Sequence, residues 1–355
     1  MSWVLTIVGF CALIVLHELG HFTAAKAVGM RVERFALFFP PLLVKVRRGE
    51  TEYGIGAIPL GGYVKITGMN PSEELSDEAR TRAYYSQPVW KRLVVIAAGP
   101  GVNLVLAFVL LLGLFTIQGN PVPVIAKQGL RAPAADVLRP GDRVVAVDGH
   151  KVNAETLTKR IRSHRCPGGL TAGCRASTPA RVTVERHHRR LTFEVTPRYD
   201  AQAKAMRIGI MSAAGYEPVG LFRAVGLSAD AMWRVTSGTV SALARLFEPE
   251  QRKQLSGVVG ISEVTHQAFA QDVTVAVNLL AIISLSLALI NLFPFLPLDG
   301  GHIFWAVVEK VRGRPVPFSV MERAGVVGFA LVLMLFFIGL SNDIGRLQGQ
   351  GFRLR

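Results

Sequence analysis

The sequence predicts a polytopic α-helical membrane protein with about four transmembrane helices, a membrane-associated β-hairpin and one inserted extracytoplasmic domain. Three observations support this fold class. Half of the 355 residues are hydrophobic and only 18% are charged, below the roughly 25% that is usual in soluble domains. Four apolar segments approach or exceed the roughly 20 residues that cross a bilayer. Most of the excess positive charge falls in one polar segment between the second and third of them.

The first apolar segment, within residues 1–30, ends in a polar motif. His17 and His21 are four residues apart and therefore share one face of a helix, where they can bind one Zn²⁺. Glu18 is placed to act on a metal-bound water. Ionisable groups in a membrane span are costly and usually functional. Residues 1–16 contain no Lys or Arg that would mark a signal peptide, so we expect a first transmembrane helix that carries a zinc motif.

The polar loop at residues 31–92 carries 10 Lys or Arg against 7 acidic residues. The positive-inside rule places this loop in the cytoplasm and the N-terminus outside. Within it, residues 52–67 mix β-branched and aromatic residues with glycines, which indicates a bent hairpin. Its apolar character favours a hairpin that leans into the membrane, where a free strand edge can pair with another chain. An ordinary surface hairpin is the alternative.

A second span at residues 93–118 leads into an external insert at 119–200. Short strands around one or two helices predict a small α+β or barrel-like domain. Residues 127–207 contain 17 Lys or Arg and 7 Asp or Glu, a net charge of +10. Such a surface attracts anionic lipids or acidic partners, or is simply a solvated face; the lack of a nucleic-acid-binding motif argues against nucleic acid. The predicted strands are 122–126, 143–149, 181–185 and 191–195, and the helix is 154–163.

The chain has three cysteines, too few for a disulfide framework or a cysteine-ligated zinc cluster. Cys11 lies in the first apolar segment and is expected to pack as a small hydrophobic residue. Cys166 and Cys174 bracket a turn-rich loop that allows them to approach. They are expected to form a disulfide if the loop faces an oxidising compartment and to be free thiols if it is cytosolic.

After the insert, the chain is predicted to return to the membrane. Residues 221–247 place apolar residues at helical spacing with arginines between them, which predicts that the region 201–272 lies on the membrane surface. A plain packed helix is the alternative. The remaining predicted segments are a third span at 273–293, a cytoplasmic loop with an LDG motif at 294–323, a fourth span at 324–341 and an external tail at 342–355.

A catalytic zinc site normally has three protein ligands and a fourth position for water. No third histidine closely follows His21, and the histidines of the insert and before the third span lie on the wrong side of the membrane. Asp299 is the remaining acid of interest within the membrane. It follows Pro294 and Pro297, which interrupt the helix and favour a protein-lined or wet cavity. Asp299 is therefore the predicted third ligand; a helix N-cap is its alternative role, and His302 is the reserve ligand.

Several segments together resemble the bacterial site-2 protease family of intramembrane zinc metalloproteases, and most closely the regulator-of-sigma-E protease type with a single PDZ domain. They occur in family order and cover nearly the whole chain, so they are more specific than the zinc motif alone. The segments are HELGH at 17–21, IPLGGYVKITG at 58–68, QPVWKRLVVIAAGPGVN at 87–103, RPGDRVVAVDG at 139–149, LSGVVGI at 255–261, NLFP at 291–294 and LDGGH at 298–302.

The resemblance implies a zinc metalloendopeptidase with one Zn²⁺ per chain, bound by His17, His21 and Asp299, and with Glu18 as the catalytic base. It also implies a bacterial inner-membrane protein with its active site towards the cytoplasm and an extracytoplasmic PDZ-like domain at 119–200. Its partners would be the lipid bilayer and single-pass membrane substrates such as anti-sigma factors or signal-peptide remnants. The residues implied in substrate binding are Asn291, Asn103, Gly61 and Gly62, the last two in a membrane-re-entrant hairpin to which a substrate strand adds.

The chain departs from the family pattern in three places. Leu296 stands where many relatives have a proline, residues 133–141 of the PDZ-like segment are one residue short, and residues 166–174 form an insertion without an assigned counterpart. Two other functional classes compete with a protease. A non-catalytic membrane adaptor would not require Glu18 beside the metal ligands, and a transporter would show a repeated pair of broken helices, which the sequence does not.

Overall fold

The computed structural model describes residues 1–70, 73–245, 248, 252, 255–349 and 351–352. They form two compact units, a membrane unit of Met1–Leu114 and Ser228–Arg355 and an inserted unit of Phe115–Leu227. The ends of two predicted segments, the amphipathic stretch at 246–247 and the tail at 353–355, lie outside the described residues.

The first part of the membrane unit consists of two long apolar helices with a β-hairpin between them. Both helices are apolar on nearly all faces, and many of their large side chains are exposed, as expected for helices that contact lipid. Pro100 lies inside the second long helix. The elements are α1 (Ser2–Ala27), β1 (Val32–Arg48), β2 (Thr51–Ile66), α2 (Asp77–Thr81) and α3 (Val89–Ile117).

The hairpin folds back on itself into a small antiparallel sheet. Residues 32–37 of β1 pair with residues 62–66 of β2 on one side and with residues 52–55 on the other. Residues 42–48 pair with the other edge of the 51–56 segment. The segment 62–66 therefore forms one edge of this sheet, and among the described residues no further strand pairs with it.

The sequence predicts the bend of this hairpin but not the full extent of its strands. Only residues 52–67 were expected to be β structure, whereas their main partner is β1. Pro40 and Pro41 obscure β1 because proline is poorly tolerated inside a strand. In the structure they fall where the chain turns between two paired segments.

An ion-pair network ties the end of α1 to the turn of the hairpin. Arg82 donates two hydrogen bonds to Glu50, at 2.7 and 2.9 Å, and Lys26 pairs with the same carboxylate. These hydrogen bonds, first from Arg82 and then from Lys26, lower the pKa of Glu50 from 4.5 to about 2. Because the folded-state pKa is depressed, this stabilisation is present above about pH 4.5 and is lost as the pH falls towards 2.

The inserted unit is a small α+β domain. Its main sheet has the strand order β10-β3-β4-β6-β7, with β5 paired to β4. Leu157 and Ile161 of its helix pack with Val144, Val182 and Val184 of the sheet. The elements are β3 (Asn120–Leu130), β4 (Arg143–Val147), β5 (His150–Lys151), α4 (Ala154–Ser163), β6 (Ala180–Arg186), β7 (Arg189–Val195), β8 (Arg198–Asp200), β9 (Ala205–Arg207) and β10 (Ile210–Glu217).

The insert differs from the sequence-based prediction at its end, and its cysteines take one of the two states that were predicted. It continues past residue 200, because β10 pairs with β3 from Asn120↔Glu217 to Ile125↔Ser212 and again, after a break in register, at Leu130↔Ile210. Cys166 and Cys174 are joined by a disulfide, the first of the two states that the sequence left open. The disulfide closes a loop between α4 and β6.

From residue 221 onwards the described part of the chain contains five helices, the first of which begins in the inserted unit and continues into the membrane unit. The first of them exposes Phe222 and Trp233, in keeping with an amphipathic segment. The last one is longer than predicted on both sides. With α1 and α3, two of these helices make up the four within the described residues that are long and apolar enough to cross a membrane. The helices are α5 (Leu221–Ala244), α6 (Val258–Gln271), α7 (Val273–Asn291), α8 (Asp299–Arg312) and α9 (Phe318–Gln348).

Candidate metal centre

Three side chains from two helices converge inside the membrane unit. His17 and His21 lie one turn apart on α1, and Asp299 is the first residue of α8. His17 Nε2, His21 Nε2 and Asp299 Oδ2 lie 3.3 Å from one another in all three pairs. Both histidines are buried. These three are the only group of His, Cys, Asp or Glu side chains with metal-site spacing in the described part of the chain.

The spacing of these donor atoms fits a zinc ion. Zinc binds imidazole nitrogen and carboxylate oxygen at about 2.0–2.2 Å in tetrahedral geometry, which separates neighbouring ligand atoms by about 3.3–3.5 Å. Asp299 Oδ2 is buried and accepts no hydrogen bond from the described residues. A cation among the three atoms would compensate this oxygen, whose burial without a partner is costly. The donor set and its geometry therefore fit Zn²⁺.

Backbone contacts set the tautomer of His21. Its Nδ1 lies 2.9 Å from the carbonyl oxygen of Val95 on α3. A carbonyl only accepts hydrogen bonds, so the proton is on Nδ1 and the lone pair of Nε2 is free for a metal. Gly99, one turn further along α3, packs against the same ring: a Cβ at this position would lie 2.2 Å from His21 Nε2. Neither Val95 nor Gly99 was predicted as a site residue; the run of small residues at 97–101 was the available signal for close helix packing.

The side chain of Asn103 is fully buried beside His17. Its Nδ2 lies 3.2 Å from His17 Nδ1, and its Oδ1 has no hydrogen-bond partner among the described residues. A half-turn of the amide would let Oδ1 accept a proton from Nδ1, which leaves Nε2 free for the metal. Ser284 of α7 donates to the backbone carbonyl of Asn103. The predicted contact of Asn103 with substrate is not supported, because none of its side chain is exposed.

A cavity of roughly 450 Å³ opens beside the three donor atoms. Glu18 lines it together with the edge segment 61–64 of the hairpin. Gly62 packs directly on Glu18, since a Cβ at Gly62 would lie 2.1 Å from Glu18 Cγ. The cavity thus brings a carboxylate, the donor atoms and a strand edge to one place.

The other predicted site residues also border this cavity. Asn291, the last residue of α7, lines it, and its Nδ2 is 3.4 Å from His17 Nε2. Gly61 lines it as well. His302 borders the cavity but does not belong to the three-donor group, in which Asp299 takes the third place. The reserve assignment of His302 as ligand is therefore less consistent with the structure than that of Asp299.

Replacing Gly99 with Ala is expected to weaken zinc binding by about 10-fold or more, the range seen when the orientation of a ligand is disturbed. The added methyl group would overlap the ring of His21, so the ring must turn or the two helices must separate. Gly101→Ala on the same helix is the control, because among the described residues no heavy atom outside the neighbouring backbone of its own helix lies within 4 Å of its Cβ position. The zinc dissociation constant, measured by chelator competition, checks this. Equal constants for both variants would contradict the packing described.

Comparison with known proteins assigns the chain to a family. The model of "Peptidase family M50" matches residues 5–335. A Brucella suis protein named "putative zinc metalloprotease" is 32% identical over 96% of this chain and 93% of its own length. Proteins of the same name from Rhizobium meliloti, 32% identical over 95% and 94%, and from Clostridium acetobutylicum, 29% identical over 96% of each chain, also match. With its helices apolar enough to span a membrane and its zinc-compatible donor set, the chain belongs to peptidase family M50, the site-2 protease family of zinc metalloproteases.

Proposed function

We propose that this zinc metalloprotease hydrolyses peptide bonds within or near the transmembrane segments of single-pass membrane proteins. One observation supports the proposal. His17, Glu18 and His21 lie on a helix apolar enough to span a membrane, and Asp299 follows another such helix. All four side chains line a cavity that is bordered by a free strand edge. A protease of soluble proteins has no need to place charged catalytic groups in apolar helices, where they are costly.

Each residue of the site has a separate role in the proposed hydrolysis. His17, His21 and Asp299 would hold the zinc, and its chemistry when bound would be polarisation of the scissile carbonyl and activation of water. Glu18 accepts a proton from the attacking water and then delivers it to the leaving amine. The carbonyl of Val95 keeps the His21 ring oriented throughout. Because Gly62 has no side chain, Glu18 can lie against the hairpin.

Substrate backbone needs new hydrogen-bond partners at this site. A transmembrane helix keeps its carbonyls within internal hydrogen bonds, so the scissile segment must unwind before it can react. The free edge at residues 62–66 offers backbone groups to an extended strand, and the amide of Asn291 offers a donor and an acceptor beside His17. We assign substrate binding to Gly61, Gly62 and Asn291. Asn103 is reassigned to the orientation of His17.

Reconstitution of the purified enzyme into lipid vesicles with a single-pass substrate tests this function. Cleavage is expected inside the span, and a central pair of Gly or Asn residues in the substrate should raise the rate several-fold because it eases unwinding. An all-Leu span of equal length is the matched control. Cleavage confined to the soluble flanks, at equal rates for both substrates, would refute the proposal.

The basic loops further support an active site towards the cytoplasm and an extracytoplasmic PDZ-like insert. In a Cys11→Ala background, Cys166 and Cys174 should react with an impermeant thiol reagent on intact cells after impermeant reduction. Ser86→Cys, exposed in the 31–92 loop, should react only after lysis when both insert cysteines are replaced. The reverse pattern would invert the proposed orientation.

A further inference from the structure

An ion pair between a buried arginine and a partly buried glutamate joins α3 to α8, outside the group of three donor atoms. Arg92 donates two hydrogen bonds to the carboxylate of Glu309, at 3.0 and 2.6 Å. The Arg92 side chain is only 4% exposed and that of Glu309 23%. The guanidinium also lies 5.9 and 5.8 Å from the ring centres of Tyr84 and Tyr85. The pair is thus fixed by a two-pronged contact and by two aromatic rings.

Such a pair is not explained by stability alone. Removing two charges from water costs about as much as their attraction returns, so apolar side chains of similar volume often stabilise a fold equally well. The fork of arginine, in contrast, requires a defined orientation of its carboxylate partner. A buried forked pair therefore fixes the relative position of two helices more strictly than apolar contact does.

The positions of both residues connect this pair to the metal centre. Arg92, Gly99 and Asn103 are spaced by seven and four residues, so they share one face of α3. Gly99 and Asn103 contact the two histidines. On α8, Glu309 follows Asp299 by ten residues, about 15 Å along the helix. One end of α8 thus supplies the third donor while the other end is held by Arg92.

We propose that Arg92 and Glu309 are positioning residues that hold α8 in register with α3, so that Asp299 meets His17 and His21. A helix that slides by one turn moves by about 5.4 Å, far more than the spacing of the donor atoms allows. The inference rests on the proposed metal site. The zinc affinity of this site then depends on the Arg92–Glu309 ion pair, which lies outside it.

Zinc affinity and thermal unfolding of the metal-free protein, measured in detergent on the full chain, test the inference. Arg92→Met leaves Glu309 without its partner and should weaken zinc binding about 10-fold while it lowers the unfolding temperature. The double variant Arg92→Met with Glu309→Met removes both charges. It should recover most of the unfolding temperature but still bind zinc about 10-fold more weakly than the wild type. Arg92→Lys keeps the charge without the fork and should fall between.

Arg82→Met is the matched control. Arg82 also forms a two-pronged pair, with Glu50, but its side chain bonds to the hairpin turn and to the carbonyl of Gly29 after α1. Its zinc affinity should equal that of the wild type. If the double variant and Arg92→Lys both bind zinc as tightly as the wild type, the positioning role is overturned and the metal site stands. If the His17→Ala variant binds zinc as tightly as the wild type, the assignment of the metal site is wrong and the positioning role is overturned with it.

Discussion

Replacing Glu18 with Gln should reduce cleavage by about 1,000-fold or more while the protein still binds one zinc per chain. Proton transfer by a positioned side chain contributes about 10²–10⁴-fold to a rate, and an amide cannot accept the proton from water. Gln has nearly the same shape as Glu, so its contact with Gly62 is kept. Single-turnover cleavage of a reconstituted substrate and the zinc content of the same preparation give the two readouts.

Glu322→Gln is the control for this variant. Glu322 is exposed on α9 and does not line the cavity, so the activity should equal that of the wild type. A Glu18→Gln protein that cleaves at a comparable rate would remove Glu18 from the mechanism. A Glu18→Gln protein that has lost its zinc would instead show that Glu18 contributes to metal binding.

Replacing Asp299 with Ala should abolish cleavage and weaken zinc binding by about 100-fold or more. Loss of an outer contact to a ligand already costs 10- to 100-fold, and Asp299 lies 3.3 Å from both histidine nitrogens. Chelator competition measures the dissociation constant, and the unfolding temperature shows whether the variant is folded.

His302→Ala distinguishes the two candidates for the third ligand. His302 borders the cavity but lies outside the donor group, so its replacement should leave zinc affinity within a few-fold of the wild-type value. If His302→Ala releases zinc and Asp299→Ala does not, the third ligand is His302. Asp299 would then begin α8 without binding the zinc.

The helices that are long and apolar enough to cross a membrane could be predicted from sequence because a bilayer requires a continuous apolar run, and that requirement is local. The helix at 154–163 was predicted at its observed bounds for a similar reason: Asn153 caps it and its apolar residues recur at helical spacing. The strand β1 and the end of the insert depend on pairing between distant segments. Local composition does not reveal such pairing, and Pro40 and Pro41 argue against a strand at β1.

At the candidate site, too, some residues could be predicted from local sequence and others only from the fold. His17, Glu18 and His21 form a local motif, and Asp299 could be inferred because few acids lie near the membrane. The neighbours that orient these residues could not be found in this way. Asn103 was expected to bind substrate, but it is buried against His17. Arg92 and Glu309 are 217 positions apart, and only the folded chain brings them together.

We expect one zinc to be held by two residues of α1 and the first residue of α8. Anomalous diffraction at the zinc absorption edge from crystals of the Glu18→Gln protein tests it most directly. One peak is expected per chain, about 2.0–2.2 Å from His17 Nε2, His21 Nε2 and Asp299 Oδ2. A peak coordinated by His302 in place of Asp299, or a zinc bound only in the inserted unit, would contradict it.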